Sequence, residues 1–187
     1  DKISNLDKQQ YANIANFFTV WLEKHPFAEM DDDTHRTIRL AAKTYIPDSW
    51  KIPNEFVNTN LLGTILALEY CKKNNSKLIY LSSYLYGRPY KIPITEKEKT
   101  KISNPYALSK KIAEDMCKYY SKSYGINVLV LRPFNVYGTN QKQHFLIPSI
   151  IKQINHSKKI IVKDLKPKRD FVYIKDLITA IIKSTGL

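Results

Sequence analysis

Two hydrophobic rhythms alternate along the chain. Over residues 5–24, Ile14, Phe17, Phe18 and Trp21 recur at i, i+3, i+4 and i+7, the stripe of an amphipathic helix, with Ser4 or Asn5 available as its N-cap. Residues 25–37 hold Pro26 and the run Asp31, Asp32, Asp33, which reads as a surface loop. Residues 38–42 make a short strand candidate. Pro47 and Pro53 bracket a loop carrying Asp48, Ser49 and Trp50, and residues 54–73 read as a helix that stops at the polar Asn74, Asn75 and Ser76. Leu78, Ile79, Tyr80 and Leu81 form an unbroken apolar run, so residues 77–81 are predicted as a buried strand.

Residues 87–104 are a loop rich in Gly, Pro and charge. Asn104 then stands at an N-cap position with Pro105 at the first helical position, and Gly125 is placed to end the helix. On that helix Leu108, Ile112, Met116 and Tyr119 fall on one side, predicted to pack, and Tyr106, Lys110, Ala113 and Cys117 on the other. Residues 127–131 repeat the buried-strand pattern. After Gly138 come a polar stretch over 139–144, a helix over 147–155, an apolar strand over 160–162 and a last helix from about Lys175. Strand, helix, strand, helix, strand predicts an α/β fold, a parallel sheet with helices on both faces over residues 1–140. Residues 141–187 are expected to begin a smaller, substrate-covering region.

A chain of 187 residues that is 43% hydrophobic can bury a core of its own. It shows neither a membrane-length apolar run nor a secretory signal at its start, and a soluble, cytoplasmic protein is expected. Cys71 and Cys117 lie in predicted helices, without CxxC or His/Cys spacing, and are expected to be reduced packing residues with no metal site. The +13 formal charge raises the question of nucleic acid. The lysines are scattered, however, and Lys, Asn, Ile and Tyr are abundant together, which disfavours a dedicated nucleic-acid function and leaves attraction of a diphosphate-bearing substrate.

Candidate chemistry centres on Tyr106 and Lys110, a Tyr-x-x-x-Lys spacing at a helix start. A phenol titrates near about 10 and is a poor base at neutral pH, but a cation held close favours the phenolate by about one to three units. Lys110 would supply that cation, and the tyrosinate could take the proton from a hydroxyl as hydride leaves the same carbon. The spacing alone is weak in a chain with 13 tyrosines. Its company is more specific: Ser82 to Gly87 follows one buried strand and Arg132 to Gly138 another, at the sheet edge where α/β proteins bind ligands.

With these motifs in order, residues 38–182 resemble the NAD-dependent epimerase/dehydratase family of extended short-chain dehydrogenases/reductases. Its members are Rossmann-like enzymes acting on sugars carried by nucleoside diphosphates. The resemblance implies that Ala41 and Ala42, Asn60 of Asn60-x-x-Gly63-Thr64, and Pro133 lie beside the cofactor. Ser82 would hydrogen-bond the reacting hydroxyl, Tyr106 would be the base, and Lys110 would also hold the nicotinamide ribose. Ser83 and Asn135 would meet the substrate, and Arg169, whose planar fork suits phosphate, would grip its diphosphate. The implied partners are NAD, with NADP open, a nucleoside-diphosphate sugar, and a second copy of the chain through the helices over 54–73 and 106–124. Each residue also has a plainer reading: Ser82 as a strand-end partner, Asn60 facing solvent, Arg169 one more surface cation.

The family begins with a glycine-rich turn that binds the cofactor pyrophosphate. Here no glycine precedes Gly63. The chain is therefore expected to start late and stop early, to lack the first strand-helix units, and to bind NAD weakly. Dehydratases of the family carry an Asp-Glu pair after the catalytic Thr; Ser83 and Tyr84 stand there, which points to a 4-epimerase. A reductase or dehydratase of the same family, or a non-catalytic interaction module, is the alternative.

Overall fold

The computed structural model describes residues 36–39, 42–85, 87, 91–156, 159–162 and 164–184. The helix predicted over 5–24, the loop after it and Ala41 lie outside the described residues. The chain divides into two compact units, Asp1–Arg132 and Pro133–Leu187.

In the first unit β1 (Arg36–Arg39), β2 (Lys77–Leu81) and β3 (Val128–Leu131) form a parallel sheet in the order β1-β2-β3. Ile79 of the central strand registers with Ile38 on one side and Leu129 on the other. Leu78 and Tyr80 turn into a core cluster with Leu68, Cys71, Ala113, Cys117, Tyr120 and Ile126. Ile79 has the opposite parity and is buried as well, so β2 is covered on both faces, as its unbroken apolar run requires. Both cysteines lie inside this core and neither is in a disulfide among the described residues.

Three local readings need correction. β1 begins and ends earlier than the 38–42 pattern suggests. Residues between the prolines form α1 (Ile46–Lys51), because Pro47 sits in the first turn, where its fixed φ favours a helix and its missing N–H costs nothing. The helix expected over 54–73 is built in three pieces: α2 (Pro53–Phe56), a π-helical stretch (Val57–Leu62) and α3 (Gly63–Lys73). Of its buried residues, Phe56, Asn60, Thr64 and Leu68 are spaced by four, and Cys71 follows at three. In a regular helix such a series drifts by about 40° per step, and the wider π turn takes up part of that drift, keeping Asn60 inward.

The long helix α4 (Pro105–Tyr124) follows its sequence signals. Asn104 Oδ1 accepts from Ala107 N at 2.8 Å, Pro105 opens the helix, and Gly125 closes it at φ 70°. Of the four residues predicted to pack, Met116 does meet the core, but most of the burial lies on the other face. Ala107, Ser109, Lys110, Ala113, Glu114, Cys117 and Tyr120 are buried, whereas Leu108, Ile112 and Tyr119 are 47%, 37% and 55% exposed. Ala107, Ser109, Ala113 and Cys117 are small enough to let the helix lie close to the sheet, with Tyr120 filling the core at its far end.

The second unit holds a two-stranded parallel sheet of β4 (Asn135–Tyr137) and β5 (Phe171–Tyr173) with α5 (Leu146–His156) and α6 (Ile174–Ser184). Gly138 ends β4 where any Cβ would collide with Ile174. The strand expected over 160–162 does not form. Ile160 and Ile161 are exposed, and the segment is instead tied to α5, with Ile161 N donating to Gln153 Oε1 at 2.7 Å and Gln153 Nε2 donating to Ile161 O at 3.1 Å.

Candidate functional site

β2 ends at Leu81, and Ser82 N donates to Leu131 O at 2.8 Å, which fixes Ser82 at the C-terminal edge of the sheet. Its side chain is 5% exposed, and its Oγ has no hydrogen-bond partner among the described residues. A buried hydroxyl without a partner carries a desolvation cost, which a hydrogen bond to water or to a bound hydroxyl would offset.

The first turn of α4 faces the same edge. Lys110 Nζ donates to Leu81 O at 2.6 Å and lies 5.0 Å from the centre of the Tyr80 ring. Lys110 is thus buried with its charge at the residue preceding Ser82. Tyr106, half-buried, packs edge-on to Phe56 with ring centres 6.4 Å apart. Burial pushes its phenol above the ordinary value, a hydrogen bond with the Ser83 side chain pulls it down, and Tyr84 pushes it up. The net rise is opposite to the lowering expected from Lys110, because desolvation of the phenolate outweighs its neighbours.

Asn60 is buried with its amide spent inside the protein. Its Oδ1 accepts from Lys43 N at 2.9 Å, and its Nδ2 donates to Lys43 O at 3.2 Å and to Ser109 Oγ at 2.9 Å. Ser109 Oγ in turn donates to Tyr106 O at 2.8 Å. Asn60 therefore does not face solvent; it ties the backbone beyond half-buried Ala42 to the turn that carries Tyr106. Ser82, Ser83, Tyr106 and Lys110 come together around the end of β2, with Asn60 behind them.

Asn135, Pro133 and Arg169 belong to the second unit. Asn135 opens β4, and its Nδ2 and backbone N donate to Asp170 O at 2.9 and 3.2 Å. That bond sets Asn135 beside the segment carrying Arg169, which is exposed, while Pro133 is half-buried. Sequence reasoning missed Glu114, fully buried at the base of the site, and Arg132, whose Nε and Nη2 donate to its two carboxylate oxygens at 2.8 and 2.5 Å. The available signal was a glutamate four residues after Lys110, between Ala113 and Cys117 on the same face.

A parallel sheet that gathers a serine, a tyrosine and a lysine at its C-terminal edge defines the class of protein. The chain belongs to the NAD dependent epimerase/dehydratase family, whose model matches residues 21–185. It is 35% identical over 157 residues to a GDP-6-deoxy-D-mannose reductase of Pseudomonas aeruginosa, covering 78% of this chain and 52% of that protein. The solved UDP-N-acetylglucosamine 4-epimerase from Methanobrevibacter ruminantium M1, in complex with UDP-N-acetylmuramic acid, superposes with a TM-score of 0.76 at 32% identity, covering 81% of this chain and 51% of that one. A UDP-glucuronic acid 4-epimerase mutant from Bacillus cereus, in complex with NAD and a fluorinated UDP-sugar, gives a TM-score of 0.75 at 29% identity, over 83% of this chain and 50% of that one. The chain spans about half the length of the curated relatives it matches.

Proposed function

We propose that this protein acts as a sugar-nucleotide 4-epimerase, removing and returning hydrogen at one carbon of a nucleoside-diphosphate sugar. The observation that carries the reading is the buried Ser82 hydroxyl, without a partner among the described residues and adjoining the Lys110–Leu81 contact in the site that also holds Tyr106. Ser82 would hold the reacting sugar hydroxyl, and Tyr106 would take its proton and later give it back. Lys110 holds a positive charge at that edge. Asn135 and Arg169 are read as substrate contacts, Arg169 for the diphosphate.

The residues at the end of β2 suit the nicotinamide end of NAD, with a buried ammonium at Lys110 and the Asn60 network behind half-buried Ala42. When bound, NAD supplies the hydride acceptor and donor. Residues 1–62 contain no glycine, so the tight turn that cradles a pyrophosphate has no counterpart among them. Ser83 and Tyr84 follow Ser82, and without a carboxylate pair there the site lacks the acid and base that dehydration needs. The exposed apolar residues Leu62 at the end of the π-helical stretch, Leu66 of α3 and Leu108, Ile112 and Tyr119 of α4 fit a second copy of the chain.

The test is incubation of the chain with UDP-glucose, UDP-galactose and their N-acetyl forms plus NAD, following interconversion of each pair, with Tyr106→Phe as control. Interconversion that the mutation abolishes supports the reading; equal silence of both proteins overturns it. The likeness to a reductase favours a second reading, in which reduced cofactor is consumed in proportion to sugar. Cofactor absorbance separates the two, because epimerisation leaves it unchanged.

A further inference from the structure

Glu114 is fully buried one turn beyond Lys110 on the same face of α4. A lysine and a glutamate at i and i+4 are ready partners. These two also share surroundings: the charge of Glu114 is felt by Tyr80 and Cys117, Lys110 lies over the Tyr80 ring, and its charge acts on Cys117 too. In so dry a place a carboxylate attracts an ammonium strongly. Lys110 Nζ donates to Leu81 O at the strand end. Arg132, directly after β3, holds the carboxylate with one donor on each oxygen, the bidentate fork that only arginine offers.

We propose that Arg132 is a positioning residue: by occupying both oxygens of Glu114 it prevents that carboxylate from capturing Lys110, and so keeps the ammonium at the edge of β2 beside Ser82. The inference rests on the reading of Ser82, Tyr106 and Lys110 as the reaction centre. It differs from a plain structural brace in one respect. A brace is lost equally when either partner is removed, whereas competition is asymmetric: loss of Arg132 displaces Lys110, and loss of the Glu114 charge does not.

The experiment uses the full chain with labelled lysine side chains, the Lys110 ammonium being assigned by its absence in Lys110→Met. In Arg132→Gln its pKa is expected to rise by about one to three units as it pairs with the freed carboxylate. In Glu114→Gln, and in the double variant Arg132→Gln/Glu114→Gln, it should not rise. A Lys110 signal that moves equally in the two single variants, or in neither, overturns the proposal. Should Arg132→Gln not fold, Arg132→Lys takes its place: it keeps the charge but not the fork, so it must shift Lys110 in the same direction by less, and no shift there overturns the proposal. A second arm reads turnover. Arg132→Gln is expected to lower kcat by about tenfold or more with KM within about twofold, and the added Glu114→Gln to restore most of it. If the unmodified chain is silent in every sugar assay, the epimerase reading falls while the Lys110 titration still decides the positioning role.

Discussion

Ser82 and Lys110 are buried at the end of β2, and Tyr106 stands half-buried beside them. Removing an unpartnered buried hydroxyl leaves no broken bond behind, so Ser82→Ala should unfold at an unchanged or slightly higher urea midpoint while losing turnover. Tyr106→Phe should lower kcat/KM by about 10²–10⁴-fold, measured by sugar interconversion. The raised phenol also sets a pH dependence. In the proposed reaction the working base is the phenolate, whose fraction grows with pH, so kcat/KM should climb through neutrality into the alkaline range; a plateau already reached below about pH 7 would contradict this. At this scale the Tyr-x-x-x-Lys spacing and the strand-end serine were legible in the sequence. The direction of the Tyr106 shift was not, because a neighbouring charge can be read from spacing but desolvation cannot. Nor was the Glu114–Arg132 pair, which joins residues 18 positions apart that no periodicity connects.

Among the elements, β2 and α4 were written most clearly, the first in its apolar run and the second in Asn104, Pro105 and Gly125. Gly125 sits at φ 70° with nothing within 4 Å of the place an alanine methyl would take, so Gly125→Ala should bring backbone strain and no clash. A loss of about 1 kcal/mol is expected from urea unfolding. The face of α4 was misread because periodicity separates two sides without saying which one meets the sheet. Bulk suggested Leu108, Ile112 and Tyr119; close approach selected Ala107, Ala113 and Cys117. The strands β4 and β5, three residues each, are too short for alternation to register, and they exist through pairing with one another across 36 positions. Ile160 and Ile161 carry a strand's composition, but Gln153 engages the backbone of Ile161 first.

For the molecule as a whole, the family and the parallel α/β architecture could be read from motif order. The exposed apolar side of α3 and α4 yields a prediction at this scale. The chain should sediment as a dimer, and Ile112→Asp should shift it to monomer without changing its circular dichroism; a monomeric unmodified chain would exclude this surface as a self-contact. The two thiols have a practical consequence. Cys71 and Cys117 are sealed in the core, and burial pushes the Cys117 thiol up to about 12, so at mildly alkaline pH neither can meet an alkylating reagent while the first unit stays folded. Labelling should therefore proceed at the rate at which that unit opens, slow in buffer and immediate in denaturant. The protein carries its own clock for unfolding, readable by mass spectrometry without any added probe.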